Sequence, residues 1–159
     1  MVQARFSAPA GTKRRLMLLL VIAVFVAVYP IRFDLQFFRP ELIALWSFTL
    51  GYVYGYRTPL VWLLVIGLVQ SVLEGSIFGA HSLALIFIAA STASVSQRLR
   101  GGSEAQRVLW LLLMVVVHQG LMGWIAMIAG KPPSSLFTLL VPAVVTALAW
   151  LPIRRWLQL

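Results

Sequence analysis

Between Leu16 and Ile153 the chain is built from six apolar runs: Leu16–Tyr29, Leu42–Tyr54, Leu60–Leu73, His81–Val95, Val108–Ala129 and Leu136–Ile153. No gap between them is long enough to fold by itself. Runs of this kind dictate the solvent. With 61% apolar and 11% charged residues in a chain of 159, the apolar surface cannot be hidden in one water-soluble core, so the runs belong in lipid. A formal net charge of +9 would suggest nucleic acid in a soluble domain. Here the basic residues stand at the ends of apolar runs instead of lining one exposed face, so they report membrane topology and no nucleic-acid partner is expected. Lys13-Arg14-Arg15 before an apolar run has the outline of a signal peptide, yet no small-x-small cleavage pattern follows near Tyr29-Pro30. The run is expected to stay as a first span. Cysteine is absent, which excludes disulfides and thiolate metal sites.

A helix needs about 20 residues to cross the hydrocarbon, and a run of about 10–14 can be re-entrant or interfacial. The second and third runs are short by that measure. Together they are too long for one crossing, and Tyr56-Arg57-Thr58-Pro59 interrupts them with a composition suited to an interfacial turn. A tight hairpin of two helices is expected there. The positive-inside rule then sets direction. With the N-terminus cytoplasmic, ten of the thirteen Lys and Arg fall inside: Arg5, Lys13, Arg14, Arg15, Arg57, Arg98, Arg100, Arg107, Arg154 and Arg155. Arg32, Arg39 and Lys131 fall outside. The expected fold is an all-α integral membrane protein of six transmembrane helices, both termini cytoplasmic. Its parts are a disordered N-terminus over residues 1–15, a transmembrane domain over 16–153 and a cytoplasmic tail over 154–159. IRFDLQFFRPE (Ile31–Glu41) is expected to lie along the outer interface, RLRGGSEAQR (Arg98–Arg107) to be a short cytoplasmic linker, and GKPPSS (Gly130–Ser135) a short outer turn.

The supply of catalytic groups is thin. No HExxH, paired-carboxylate motif, phosphate-cradling loop or GxSxG elbow occurs, so no enzyme, no cofactor and no metal site is expected. Ionisable residues at membrane depth are functional candidates because burying a charge in hydrocarbon is costly. Glu74 is one such candidate; the alternative is a solvated carboxylate at a helix C-terminus followed by a C′ glycine, Gly75. Gln70, one turn earlier, faces the same way and extends a polar patch. His81 reads as a helix N-terminal residue held by Ser82 or by backbone, and a proton relay is the alternative. His118 and Gln119 sit mid-span and are expected to hydrogen-bond across to another helix. The cytoplasmic arginines read as topology signals and contacts to anionic membrane lipid. Small residues in AASTAS (Ala89–Ser94), with Gly51, Gly55, Gly67, Gly120 and Gly123, allow close helix approach within the bundle or against a partner. Trp62, Trp110, Trp124, Trp150 and Trp156 read as interface anchors.

The order RPEL (Arg39-Pro40-Glu41-Leu42), YGYRTP (Tyr54–Pro59, with Arg57), EGSIFGAHSLAL (Glu74–Leu85), SQRLR (Ser96–Arg100) and HQ (His118-Gln119) resembles the bacterial rod shape-determining MreD family over roughly Arg39 to Trp124. The most specific part is the Gly75–Leu85 core with Gly75, Gly79 and His81. Where the family usually carries an aspartate four residues before the first glycine of that core, this chain has Ser71, and Glu74 stands three residues later. The resemblance implies a non-catalytic subunit of the bacterial inner membrane in the cell-elongation machinery. Its implied partners are MreC, the actin-like MreB, the glycosyltransferase RodA and its class B transpeptidase. It also implies a six-helix fold like the S components of energy-coupling-factor vitamin transporters. In the alternative reading, a true S component served by an ATP-driven module, Asp34, Arg39 and Glu41 belong to a lid over an outer solute pocket. On either reading Gly75 and Gly79 provide backbone geometry or close approach at the turn that Gln70–Leu85 forms.

Overall fold

The computed structural model describes residues 11–29, 38–132 and 135–159, and in them the chain is all helical. Six α-helices follow in order: α1 (Thr12–Val28), α2 (Leu42–Tyr54), α3 (Leu60–Leu73), α4 (Ala80–Gly101), α5 (Glu104–Ile128) and α6 (Leu136–Leu157). Three of them, α4, α5 and α6, are long and apolar enough to cross a membrane. Of the N-terminal segment expected to be disordered, residues 1–10 lie outside the described residues, while Thr12–Arg15 are ordered as the first turn of α1. Most of the interfacial segment, including Asp34, also lies outside the described residues.

The short second run is the centre of the protein. Twelve of the thirteen residues of α2 are buried, because α1, α4, α5 and α6 all pack around it. At about 1.5 Å per residue it is only about 20 Å long, so both of its ends lie among protein groups. In hydrocarbon such ends must find partners within the protein. At its C-terminus Arg100 of α4 donates to the carbonyls of Tyr52 (3.1 Å from Nε, 2.6 Å from Nη2) and Val53 (2.9 Å). At its N-terminus the Glu41 backbone N–H donates to Thr146 Oγ1 of α6 at 2.8 Å. Thr146 is itself pinned, donating to the Pro142 carbonyl at 2.6 Å.

α2 and α3 are consecutive and joined by the turn Gly55–Arg57, but they do not form the expected tight hairpin. α4 packs heavily on both, and the two make little or no contact with each other. The reason is the distribution of small side chains. A Cβ on Gly51 would overlap the Ala89 carbonyl, and one on Gly67 would overlap the Ser82 backbone, so α2 and α3 each approach α4 most closely where they carry glycine. Hydroxyls seal the two contacts: Ser47 donates to the Leu85 carbonyl (2.6 Å) and Ser82 to the Leu64 carbonyl (2.8 Å). Gly51, Gly67 and Ala89 are therefore used inside the bundle, whereas a Cβ on Gly120 would meet nothing and Ala90 and Ser94 are exposed.

Three further expectations change. Arg98–Arg107 is not a linker: α4 runs through Gly101, and Ser103 caps α5 by accepting from the Gln106 N–H at 3.3 Å. Arg100 and Arg107 do more than mark topology. Arg107, 7% exposed, donates to the carbonyls of Leu99 (2.7 Å), Arg100 (2.9 Å) and Gly102 (3.0 Å), and pairs with Glu104, which also pairs with Arg154 of α6. Trp150 is a core residue, fully buried edge-on against Phe48 and Tyr52, with ring centroids 5.1 and 5.9 Å away. Its position near the end of the last run suggests an interface only until α2 is placed beside it.

Candidate functional site

The opposite end of the bundle is organised by the turn between α3 and α4. α3 closes with a two-bond C-terminal motif: Ser76 N–H donates to the Ser71 carbonyl (3.0 Å) and Gly75 N–H to the Val72 carbonyl (3.3 Å). Gly75 adopts the left-handed conformation this requires (φ 58°). Gly79, at φ 85°, starts α4. A Cβ at either glycine would meet nothing, so backbone conformation, not close approach, is what they contribute.

This turn brings Glu74 and His81 together. His81 Nε2 lies 3.1 Å from Glu74 Oε2, and the other carboxylate oxygen accepts from Gln70 Nε2 at 2.9 Å. His81 is thus held by Glu74, with its backbone N–H 3.4 Å from Ser71 Oγ, and not by Ser82, whose hydroxyl is committed to Leu64. α5 adds the second half of the cluster. The His118 ring stacks at a tilt over that of His81, centroids 5.9 Å apart. Gln119 Nε2 donates to Glu41 Oε1 at 2.8 Å, joining α5 to the start of α2.

Glu41, Glu74, Gly75, His81, His118 and Gln119 line one cavity of about 230 Å³, closed by Ile77, Met122 and Ile125 and with Lys131 on its wall. Behind Glu74 lies a second recess, of about 390 Å³, between α1 and α3, where Arg39, Pro40 and Gln70 sit with Ala23, Ala27 and Leu73. Arg39 donates to the Val26 carbonyl, tying the approach to α2 onto α1. Arg57 is exposed at the far end of the molecule, in the α2–α3 turn, and has no part in this cluster.

Four buried polar atoms here have no hydrogen-bond partner in the protein: Gln70 Oε1, His81 Nδ1, and both ring nitrogens of His118, which is 2% exposed. A buried polar group left unmatched costs about 1–3 kcal/mol. The cluster is therefore incomplete by itself and suited to a polar guest. Among the described residues no three His, Asp or Glu side chains converge as metal ligands. The expected cross-helix hydrogen bond is made by Gln119, to an acceptor the sequence did not point to, but not by His118, whose ring nitrogens have no partner in the protein. Glu41 is the first residue after Pro40 and lacks a basic neighbour one turn on; only the tertiary packing brings Gln119 to it from 78 positions away.

A family model described as rod shape-determining protein MreD matches residues 12–159. No curated protein and no solved structure matches the chain.

Proposed function

Because this chain belongs to the rod shape-determining MreD family, we propose that it is a non-catalytic inner-membrane subunit of the cell-elongation complex, one that binds MreC. In this reading it spans the membrane six times with both termini cytoplasmic, and works with MreB, RodA and its class B transpeptidase to organise peptidoglycan synthesis. The observation that supports partner binding is the cleft between α1 and α3. Both helices flank the bundle without packing on each other. Ala23 and Ala27 leave room on one wall, Leu73 forms the other, and Gln70 offers an unpartnered carbonyl oxygen at its polar end. Small side chains with a polar group beside them are what a transmembrane helix packs against where hydrophobicity gives no drive.

The test uses the absence of native cysteine. A single cysteine at Ala27 or Leu73 should cross-link to the transmembrane segment of MreC, whereas one at Leu148, 58% exposed on α6, should not. Cross-linking at 148 with none at 27 and 73 would place the interface elsewhere. Affinity purification from gently solubilised membranes supplies the partner list, with recovery of MreC expected. A second reading, a solute-binding S component, draws on the polar cavity beside His118. An ATPase pair and a coupling membrane subunit in place of MreC would establish it.

A further inference from the structure

The cavity around Glu41 and His118 is not isolated. Ile77 and Ile125, part of its wall, also border an apolar groove of about 500 Å³ formed by Leu64 and Leu68 of α3, Phe78 of the turn, Leu83 of α4 and Ile128 of α5. A polar chamber adjoining an apolar groove across Ile77 and Ile125 has the profile of an amphiphile. The charges say which kind. Glu41 has no cation within ion-pair distance among the described residues, since Arg39 is turned to the Val26 carbonyl, and its partner Gln119 is neutral. Glu74 has only His81. The cation on the chamber wall, Lys131, lies past the last turn of α5, towards the end of the bundle. Carboxylates inside and an ammonium towards the exit are complementary to a zwitterion that enters with its own ammonium first.

We propose that chamber and groove together bind an aminophospholipid. Its primary ammonium sits between Glu41 and Glu74, its phosphate faces Lys131, and one acyl chain lies along the groove from Phe78 to Leu64. A primary ammonium has three N–H donors, enough to engage both carboxylates. His118, 98% buried by the same packing and unpartnered on both nitrogens, presents either a donor or an acceptor to the polar linkage behind it. A quaternary choline headgroup donates nothing and leaves those acceptors unmatched. Glu41 and Glu74 also border the α1–α3 recess, but the apolar groove and His118 do not, so lipid retention and MreC cross-linking at 27 and 73 are read separately.

The experiment is native mass spectrometry of the full chain, released from detergent after equilibration with phosphatidylethanolamine or with phosphatidylcholine of the same acyl chains. Phosphatidylethanolamine is expected to be retained about tenfold more tightly. Glu41→Gln and, as a second variant on the half-exposed turn, Glu74→Gln should each bring the two lipids within about twofold of one another. Leu83→Trp, at a position 71% exposed in the groove, should weaken both lipids and leave their ratio unchanged. Equal retention of the two lipids, or a preference that survives both carboxylate changes, would overturn the proposal. So would displacement of the lipid by soluble phosphoethanolamine at matching concentration, which would assign the chamber to a free amine.

Discussion

The two ends of this helical bundle treat buried charge in opposite ways. At the end holding Arg100, Arg107, Glu104 and Arg154, the guanidinium groups are aimed at helix-terminal carbonyls and at one carboxylate, and they tie α2, α4, α5 and α6 together. Glu104 Oε2 and Arg154 Nε are left without a hydrogen bond there, but at the end holding Glu41, Glu74, His81 and His118 the polar groups are drawn to a common cavity, with His81 Nδ1 and both His118 nitrogens unmatched beside it. Both arrangements cost desolvation. One returns it as rigidity; the other keeps hydrogen-bonding capacity in reserve, which is the usual mark of a site. The arginines that topology alone would explain turn out to cap helices, while Glu41 and Glu74 line a cavity.

The sharpest way to break that contrast is Arg107→Ala. It strips donors from three carbonyls and a partner from Glu104, so unfolding in detergent should become easier by about 3 kcal/mol. A midpoint unchanged in thermal unfolding would mean that the basic end is not the structural one. Next in size is Gly67→Val, whose Cβ runs into the Ser82 backbone. Forcing α3 off α4 should cost about 1–3 kcal/mol and reduce the amount of folded protein recovered from membranes. Gly79→Leu, at φ 85°, should cost about 1–2 kcal/mol of backbone strain. It should lower the yield of assembled complex, and equal yields would count against the turn's importance. His118→Leu tests the other half of the comparison with the opposite sign. Replacing a buried, unpartnered imidazole by an apolar group should leave the protein as stable or raise its stability by about 1 kcal/mol, while reducing lipid retention. Last is Glu74→Ala. Its own side chain is 43% exposed, but its loss leaves the buried His81 Nε2 and Gln70 Nε2 without that partner, so insertion should be intact and unfolding should ease by about 1 kcal/mol. A drop as large as that for Arg107→Ala would erase the distinction between the two ends.

The pairing of Gln70 with Glu74 was legible because i and i+4 on one helix must face the same way, and the α3–α4 turn because Glu-Gly-Ser after an apolar run reads as a helix stop. Glu41 with Gln119, and His81 with His118, were not legible. Each pair joins residues from different helices, and nothing local says which faces of those helices will meet. Trp150 was misread for the same reason: the end of a long run is an interface position only if no neighbour covers it, and α2 does.

Apolar runs and their flanking charges by themselves determined that this protein is a membrane-embedded helical chain, because the six runs together carry more apolar surface than a soluble core of this size can bury. The ordered motifs from Arg39 to Gln119 determined the family. Only the tertiary structure decided that the shortest apolar run would be the core. Gly51 and Gly67 both face α4, which therefore comes between α2 and α3, and a helix enclosed on all sides by protein needs partners for its ends, not length to span. It also decided where the buried polar groups converge. That depends on how far α2 stops short of its longer neighbours, and so leaves Glu41, His118 and Glu74 around one chamber.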